Sequence, residues 1–255
     1  MKKIIFFSVI LMLFSCSKPE EKGGIIFTFD DQPVQNWVTN RNLFKKYDVK
    51  ATFFISNPGS LDQSQINGLK ILQGDGHEIA CFGLKHLDAR TYTGPAGKFY
   101  EEEAEPAISK LNDLGFKVVS FAYPFGLAPD SIDSVMLKHV KYLRKATWNM
   151  YFTMLDYYDN IYAKPDSFKV VNSMGIDCNF NITPESLETG IQKARKNNEV
   201  LVLRAHKIDK SGADNTINPL YLEKAFKLCK KDRIRFLRMQ DLEDFFSRAN
   251  ITATK

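Results

Sequence analysis

Two adjacent aspartates, Asp30 and Asp31, stand at the end of the apolar stretch 25–29. Burial and mutual repulsion both disfavour two neighbouring carboxylate anions, so a nearby cation would stabilise the pair. Neighbours on a strand point to opposite sides, so one carboxylate can ligate a metal while the other acts as a base on a water molecule. The alternative is a turn in which Asp31 caps the following helix.

Histidines at two other places could complete such a site. Residues 76–86 hold His77 and His86, and His206 ends the apolar run at 199–206. Imidazole is a common zinc ligand and a common general acid. A lone histidine is more often a structural or surface residue, so the prediction depends on the order of these groups along the chain.

Short apolar runs separated by amphipathic stretches must position these side chains. The runs have the length of buried parallel strands and lie at 25–29, 51–55, 77–80, 117–123, 199–206 and 234–237. Helical patterns lie between them, at 38–47, 64–72, 101–114, 184–196 and 220–230, with Thr183 as a helix cap. This alternation predicts βαβ units and a parallel sheet.

The number of these units favours a barrel over an open sheet. Six or more units in about 230 residues, with neither a Gly-x-Gly-x-x-Gly turn nor a P-loop, fit a closed or nearly closed (β/α) barrel. Residues 148–182 are interpreted either as a long loop or as extra strands over one barrel end. Catalytic groups of such barrels gather where strands end, and Asp30, Asp31, His86 and His206 all follow predicted strands.

Four motifs, taken in order, resemble the polysaccharide deacetylase family, the NodB-like carbohydrate esterases. They are Thr-Phe-Asp-Asp at 28–31, Gly-His-Glu-Ile at 76–79 with His86 ten residues after Gly76, Phe-Ala-Tyr-Pro-Phe-Gly at 121–126, and Leu-Arg-Ala-His at 203–206. The resemblance spans roughly residues 24–245. It implies a distorted (β/α) barrel of parallel strands whose enzymes remove N-acetyl, sometimes O-acetyl, groups from a carbohydrate polymer with one divalent metal, often zinc.

The resemblance also implies a role for each matching residue. Asp30 matches the general base and His206 the general acid. Asp31 matches the metal aspartate and His86 the second metal histidine. The backbone N–H of Phe125 matches a donor that helps to stabilise the oxyanion. In this chemistry the metal polarises the acetyl carbonyl and activates a water, Asp30 takes the proton of that water, and His206 protonates the leaving amine.

Phe82 is the main departure, because it stands where the family has its first metal histidine. A phenyl ring cannot coordinate zinc, so two matched ligands remain and metal affinity should fall by orders of magnitude unless another group substitutes. Cys81 is a good zinc ligand by its chemistry, but as the neighbour of Phe82 it should point the opposite way. His77 is interpreted as structural, and His139 as remote from the site.

Ala122 is the second departure, because the family often has an arginine there that orients the base. Arg204 and His206 are two residues apart and share one side of a strand, so we predict that Arg204 pairs with Asp30. The alternative is an arginine that extends to solvent at the barrel rim. Aromatic residues are candidates for sugar-stacking platforms or for packing: Tyr123, Trp148, Tyr151, Phe152, Tyr157 and Tyr158.

The first residues are typical of a bacterial export signal. Lys2 and Lys3 precede an apolar run at 4–14, which is shorter than the roughly 20 residues of a membrane-spanning helix. Leu-Phe-Ser-Cys at 13–16 resembles a lipobox. We therefore predict a signal peptide over 1–15, lipidation of Cys16, a polar tether over 16–24 and one barrel domain over 25–250. An ordinary cleaved signal is the alternative, and either one takes the protein out of the cytoplasm; with the lipid anchor it would be periplasmic or at the cell surface.

The formal net charge of +5 is too small to indicate a nucleic-acid partner. The sequence thus predicts a lipid-anchored, metal-dependent hydrolase that removes acetyl groups from a carbohydrate polymer, with zinc as the expected metal. The alternative is a catalytically impaired, glycan-binding lipoprotein that keeps the same cleft. A metal-free glycosidase ranks last, because Asp30 and Asp31 are adjacent on one strand and cannot flank a sugar.

Overall fold

The strands of this chain close into a parallel barrel. The computed structural model describes residues 21–148 and 154–253. In chain order its strands are β1 (Gly24–Asp31), β2 (Thr52–Ile55), β3 (Glu78–Cys81), β4 (Ser120–Ala122), β5 (Tyr142–Thr147), β6 (Tyr162–Ala163), β7 (Val170–Gly175), β8 (Val200–Ala205), β9 (Lys207–Ile208), β10 (Thr216–Ile217) and β11 (Arg235–Leu237). Seven of them, β1-β2-β3-β4-β5-β7-β8, form a ring that the β1–β8 pairing closes. The predicted fold class is confirmed.

Helices follow most of the strands. They are α1 (Val34–Thr39), α2 (Arg41–Lys46), α3 (Gln63–Gly74), α4 (Ala96–Phe99), α5 (Glu105–Asp113), α6 (Asp130–Met136), α7 (Pro184–Asn197), α8 (Pro219–Lys231) and α9 (Leu242–Ala253). A π-helical turn, Tyr100–Ala104, joins α4 to α5. Thr183 caps α7 as predicted, since its hydroxyl accepts from the Ser186 N–H at 3.1 Å. In the part of the chain that the structure describes, no helix is long and apolar enough to cross a membrane.

Two barrel strands, β5 and β7, were not predicted from the sequence. β5 reads YLRKAT and β7 reads VVNSMG, so polar residues interrupt both apolar runs. β7 lies inside the segment 148–182, which is therefore partly barrel wall. The helix predicted at 38–47 is instead two short helices, α1 and α2, and the strand predicted at 117–123 is only three residues long.

Alternation along the strands separates two apolar layers. Ile25, Phe27 and Phe29 of β1 belong to the layer shared with the surrounding helices, whereas Ile26 belongs to a smaller cluster within the barrel. Side chains two residues apart share a face. The inner face of β1 therefore ends at Asp30. By the same alternation β3 leads to an inward Phe82, and β8 carries Arg204 inward after Val200 and Val202.

Candidate active site

Asp30 is buried at the inner end of β1, where Arg144 of β5 binds it. Arg144 Nη2 donates to Asp30 Oδ2 at 2.6 Å, and the two side chains are only 1% and 2% exposed. The guanidinium carbon lies 5.0 Å from the ring centroid of Phe54 and 5.6 Å from that of Phe82. A charge-assisted bond in this setting fixes the orientation of the Asp30 carboxylate.

The prediction that Arg204 pairs with Asp30 is wrong, because Arg144 holds that position. Arg204 Nη1 instead donates to the Ser173 carbonyl at 3.0 Å. The alternative, an arginine extending to solvent, is also wrong, since Arg204 is 2% exposed. Arg144 and Ala122 are register partners on β5 and β4. The guanidinium therefore comes from the strand next to the one on which the family often carries it.

His206 follows β8 and is held by Asp177, two residues after β7. The imidazole Nδ1 lies 2.7 Å from Asp177 Oδ2, and the His206 backbone N–H donates to Oδ1 at 3.0 Å. Burial alone lowers the pKa of His206, but the bond to Asp177 and the charge of Asp30 outweigh it, so the pKa lies above its usual value. Because Nδ1 is engaged, Nε2 is the nitrogen left for proton transfer, and a raised pKa suits a general acid.

We expect Asp177→Asn to lower the pKa of His206, because burial then acts without the opposing carboxylate. Since the folded pKa is raised, the pair stabilises the fold fully below the unfolded value of about 6.5, and this contribution is lost as pH rises through the folded pKa. NMR titration of the ring and urea unfolding between about pH 5 and 9 would check this. Asp214→Asn, at an exposed position, is the matched control. An unchanged pKa of His206 in Asp177→Asn would contradict the assignment.

Asp31 and His86 lie close together at the barrel mouth, and both have a left-handed backbone, with φ of 79° and 61°. Burial and the charge of Asp30 raise the pKa of Asp31, while the charges of His206 and His86 lower it. The structure thus brings the four predicted groups into one site. The alternative role of Asp31 as a helix cap is wrong, because Pro33 occupies the cap of α1 and no side chain bonds there.

Glu103 positions the loop that carries His86, a role that the sequence motifs did not reveal. Its carboxylate lies in the π-helical turn, is fully buried, and accepts from the backbone N–H groups of Lys85 at 2.8 Å and Leu87 at 3.2 Å. Gly83 makes room for it, since a Cβ there would overlap Glu103 Oε1. Three consecutive glutamates, 101–103, do not reveal in the sequence which one is buried. The structure shows that it is Glu103, within the π-helical turn.

Glu103→Ala is expected to destabilise the fold by about 3 kcal/mol, because two backbone N–H groups lose a charged acceptor. Glu103→Gln keeps an acceptor and should cost less. Glu101→Ala is the control, since Glu101 is 57% exposed in its pair with Lys98 and should change stability by about 0.5 kcal/mol at most. Urea unfolding measures all three. A Glu103→Ala protein as stable as the control would show that the loop needs no anchor.

Phe82, at the position where the family resemblance implies the first metal histidine, has a buried ring. It is 5% exposed, and its centroid lies 5.3 Å from the His86 ring. Cys81 is no substitute: it is fully buried, packs in the outer layer, and burial raises the pKa of its thiol to about 12. Zinc ligation by cysteine needs the thiolate, so Cys81 is poorly suited by orientation and by chemistry.

The remaining histidines lie elsewhere. His77 Nδ1 accepts from the Ala51 N–H at 3.0 Å, and burial lowers the pKa of His77 to about 4. The His139 ring stacks on Tyr100 at 3.7 Å. Within residues 21–148 and 154–253, no three histidine, cysteine or acidic side chains converge in an arrangement that could hold a metal. Asp31 and His86 alone do not fit a zinc centre, which takes three protein ligands in catalytic sites.

Two exposed aromatic residues edge the barrel mouth. Phe125 is 46% exposed, and its ring lies 5.1 Å from that of His86. Trp148, at the end of β5, is 48% exposed, and its indole N–H donates to the Phe125 carbonyl at 2.8 Å. Trp148 is therefore placed to stack on a sugar ring, whereas the role assigned to the Phe125 N–H stays a prediction.

The other aromatic candidates divide by exposure. Tyr123 is wrong as a substrate-contacting residue, because it is fully buried against Phe99 and Phe121. Tyr158 is also buried, while Tyr157 is 64% exposed. Tyr151 and Phe152 lie outside the described residues. Of these candidates, Tyr157 therefore keeps a ring that is open to a ligand, whereas Tyr123 and Tyr158 serve packing.

Comparison with known proteins agrees with this architecture. The family model for polysaccharide deacetylase matches residues 17–152. The Bacillus subtilis (strain 168) protein YheN, which is named as a polysaccharide deacetylase, is 32% identical over 108 residues, covering 41% of this chain. That match spans only 36% of the length of YheN.

Solved structures show the same fold at low identity. The peptidoglycan deacetylase PdaC of Bacillus subtilis superposes with a TM-score of 0.57 at 16% identity, covering 91% of this chain and 96% of PdaC. A mutant of BA3943, described as a CE4 family pseudoenzyme with restored enzymatic activity, gives a TM-score of 0.55 at 14% identity over 88% of this chain and 68% of BA3943. Because the family model covers more than half of the chain and the barrel agrees with it, this protein belongs to the polysaccharide deacetylase family.

Proposed function

We propose that the barrel mouth binds an acetylated carbohydrate polymer and that Phe82 has removed the metal centre on which deacetylation would depend. The buried ring of Phe82 carries this proposal, because it packs beside His86 at the position where the family resemblance implies a metal histidine. Among the described residues, no three histidine, cysteine or acidic side chains are grouped so that they could hold a metal. Without a third metal ligand, the barrel mouth would still bind the polymer but would no longer hydrolyse its acetyl groups.

The exposed rings of the mouth support binding. Trp148 and Phe125 are each nearly half exposed and are joined by a hydrogen bond, so together they offer an apolar edge. Large, partly exposed aromatic rings give contact area at low entropic cost. The polar groups deeper in the mouth, Asp30 and His206, are both held by ionic partners and can orient the hydroxyl and amide groups of a sugar.

Hydrolysis of acetyl groups is the second candidate, favoured by those same two ion pairs. Asp30, oriented by Arg144, is suited to accept a proton from water, and His206, oriented by Asp177, is suited to donate one to the leaving group. The residues present supply this proton transfer but no three-ligand metal centre. This candidate would require a further ligand from the substrate or from the residues that the structure does not describe.

Titration with acetylated oligosaccharides tests the proposal. The mature chain would be mixed with chitin oligomers, acetylated xylan fragments or peptidoglycan fragments, with binding followed by calorimetry and acetate by a coupled assay. We expect binding that EDTA leaves unchanged and no acetate release. Acetate release that EDTA abolishes would establish the hydrolase instead, and failure to bind any acetylated glycan would overturn both candidates.

Trp148→Ala is expected to weaken binding of whichever glycan binds in that titration by about fivefold, or about 1 kcal/mol, since a stacking surface is lost. Ile71→Ala is the matched control, because Ile71 is exposed on α3 and not at the mouth. Calorimetry compares the two variants. Equal affinities would place the glycan away from Trp148.

We also propose export and lipid anchoring. The signal at 1–15 and Cys16 lie outside the described residues, so these assignments, and the domain bounds 25–250, rest on the sequence. A Cys16→Ser variant that loses incorporation of labelled fatty acid and leaves the membrane fraction would support the anchor. Incorporation unchanged by Cys16→Ser would contradict it.

A further inference from the structure

Arg204 is a buried cation with no acidic partner among the described residues. It is 2% exposed, and its Nη1 donates to the Ser173 carbonyl at 3.0 Å. Its Nη2 is buried and has no hydrogen-bond partner. Asp30 and Asp177 attract the charge of Arg204 through space, but their ion pairs are with Arg144 and with His206. Arg204 thus keeps a buried donor, Nη2, without an acceptor and has no ion pair of its own among the described residues.

Two aromatic rings enclose the guanidinium. Its central carbon lies 4.6 Å from the Trp148 ring centroid and 4.9 Å from that of Phe180. Gly175 leaves the space for Phe180, because a Cβ at this position would overlap the phenyl ring. Trp148 is the half-exposed member of the pair, so the indole is the cover between Arg204 and the barrel mouth.

Such an arrangement is costly without an anion. Burial of a guanidinium that has no ion pair of its own is costly, and stacking on two rings offsets only part of that cost. Burial, with the charge of Arg144, lowers the pKa of Arg204 to about 10, which still leaves it charged at neutral pH. A guanidinium presents a planar fork of N–H donors that matches a carboxylate. The ligand class that best completes the group is therefore a carboxylate.

We propose that Arg204 forms a subsite for the carboxylate of an acidic sugar, a uronic acid unit of the polymer bound in the barrel mouth. This inference rests on the proposed glycan-binding function and specifies its ligand. Arg204 lies two residues before His206 on the same face of β8, so the acidic sugar would sit beside the groups that face the acetylated one. Because Nη2 is buried beneath the Trp148 ring, we expect the indole to move when the carboxylate binds.

The test uses a matched pair of probes. Oligomers of galacturonic acid and their methyl esters have the same sugar rings, but only the acid carries a charge. Binding to the mature chain would be followed by calorimetry and by tryptophan fluorescence, in which Trp148 responds and the fully buried Trp37 gives a constant background. We expect the acid to bind at least tenfold more tightly than the ester and to change the fluorescence.

Variants and a small-ion control sharpen the result. Arg204→Met should abolish the preference for the acid and leave binding of the ester unchanged. Arg204→Lys should keep part of the preference. If either variant fails to fold, the comparison of acid and ester on the native chain decides alone. Equal affinity for acid and ester overturns the subsite, as does full competition by sodium acetate at the same concentration. Binding of neutral acetylated glycans without this preference overturns the subsite alone, while no glycan binding overturns the proposed function as well.

Discussion

Phe82→His is expected to create a zinc centre with three protein ligands. The imidazole would stand beside His86, whose ring centroid is 5.3 Å from that of Phe82, and would join Asp31 as the third ligand. Three protein ligands leave one position open for water. Zinc at one hundred times its dissociation constant should then stabilise the variant by about 2.7 kcal/mol. Elemental analysis and urea unfolding with and without zinc measure both effects.

Phe82→Asn is the control for this prediction, because it removes the same buried ring without adding an imidazole. Both variants lose apolar packing and should be less stable than the native chain without metal, by about 1–3 kcal/mol. Only Phe82→His should gain stability from zinc, and only it should release acetate from an acetylated oligosaccharide. Zinc stabilisation of both variants, or of neither, would contradict the ligand assignment.

Arg144→Met is expected to destabilise the protein by about 3–5 kcal/mol, because it leaves the buried Asp30 carboxylate unpaired. Methionine keeps much of the volume between Phe54 and Phe82, so lost charge compensation should dominate over lost packing. Urea unfolding at neutral pH measures the change in the free energy of unfolding.

A double-mutant cycle separates the ion pair from packing. Asp30→Asn combined with Arg144→Met removes both charges and should recover most of the stability that either single change loses. Lys98→Met is the surface control, since Lys98 is 58% exposed in its pair with Glu101, and should cost about 0.5 kcal/mol at most. Additive losses in the cycle would show that Asp30 and Arg144 are not coupled.

The part of the site that lies on strongly apolar strands could be predicted from the sequence. β1 and β8 are buried along nearly their whole lengths, and each ends in polar groups, so Asp30, Asp31 and His206 were placed correctly at the carboxyl ends of strands. The position of Phe82 beside His86 also followed from motif spacing. The outward direction of Cys81 followed from strand alternation.

The supporting groups could not be predicted in the same way. Arg144 and Ser173 interrupt the apolar pattern of β5 and β7. These polar residues serve the site, but because of them neither strand has the continuous apolar run by which a buried strand is recognised in a sequence. Glu103 depends on a π-helical turn, and Asp177 lies in a loop between β7 and α7. The partner of Asp30 was misassigned for this reason, since Arg204 was the arginine on a recognised strand.

Zinc stoichiometry of the native mature chain is the most direct test of the central claim, that Phe82 leaves the cleft without a metal centre. The purified chain would be loaded with zinc, dialysed and analysed for bound metal. We expect much less than one zinc per chain, because two ligands do not form a closed site. About one zinc per chain, lost on Asp31→Asn, would contradict it and would identify this protein as a metal-dependent deacetylase with an unrecognised ligand.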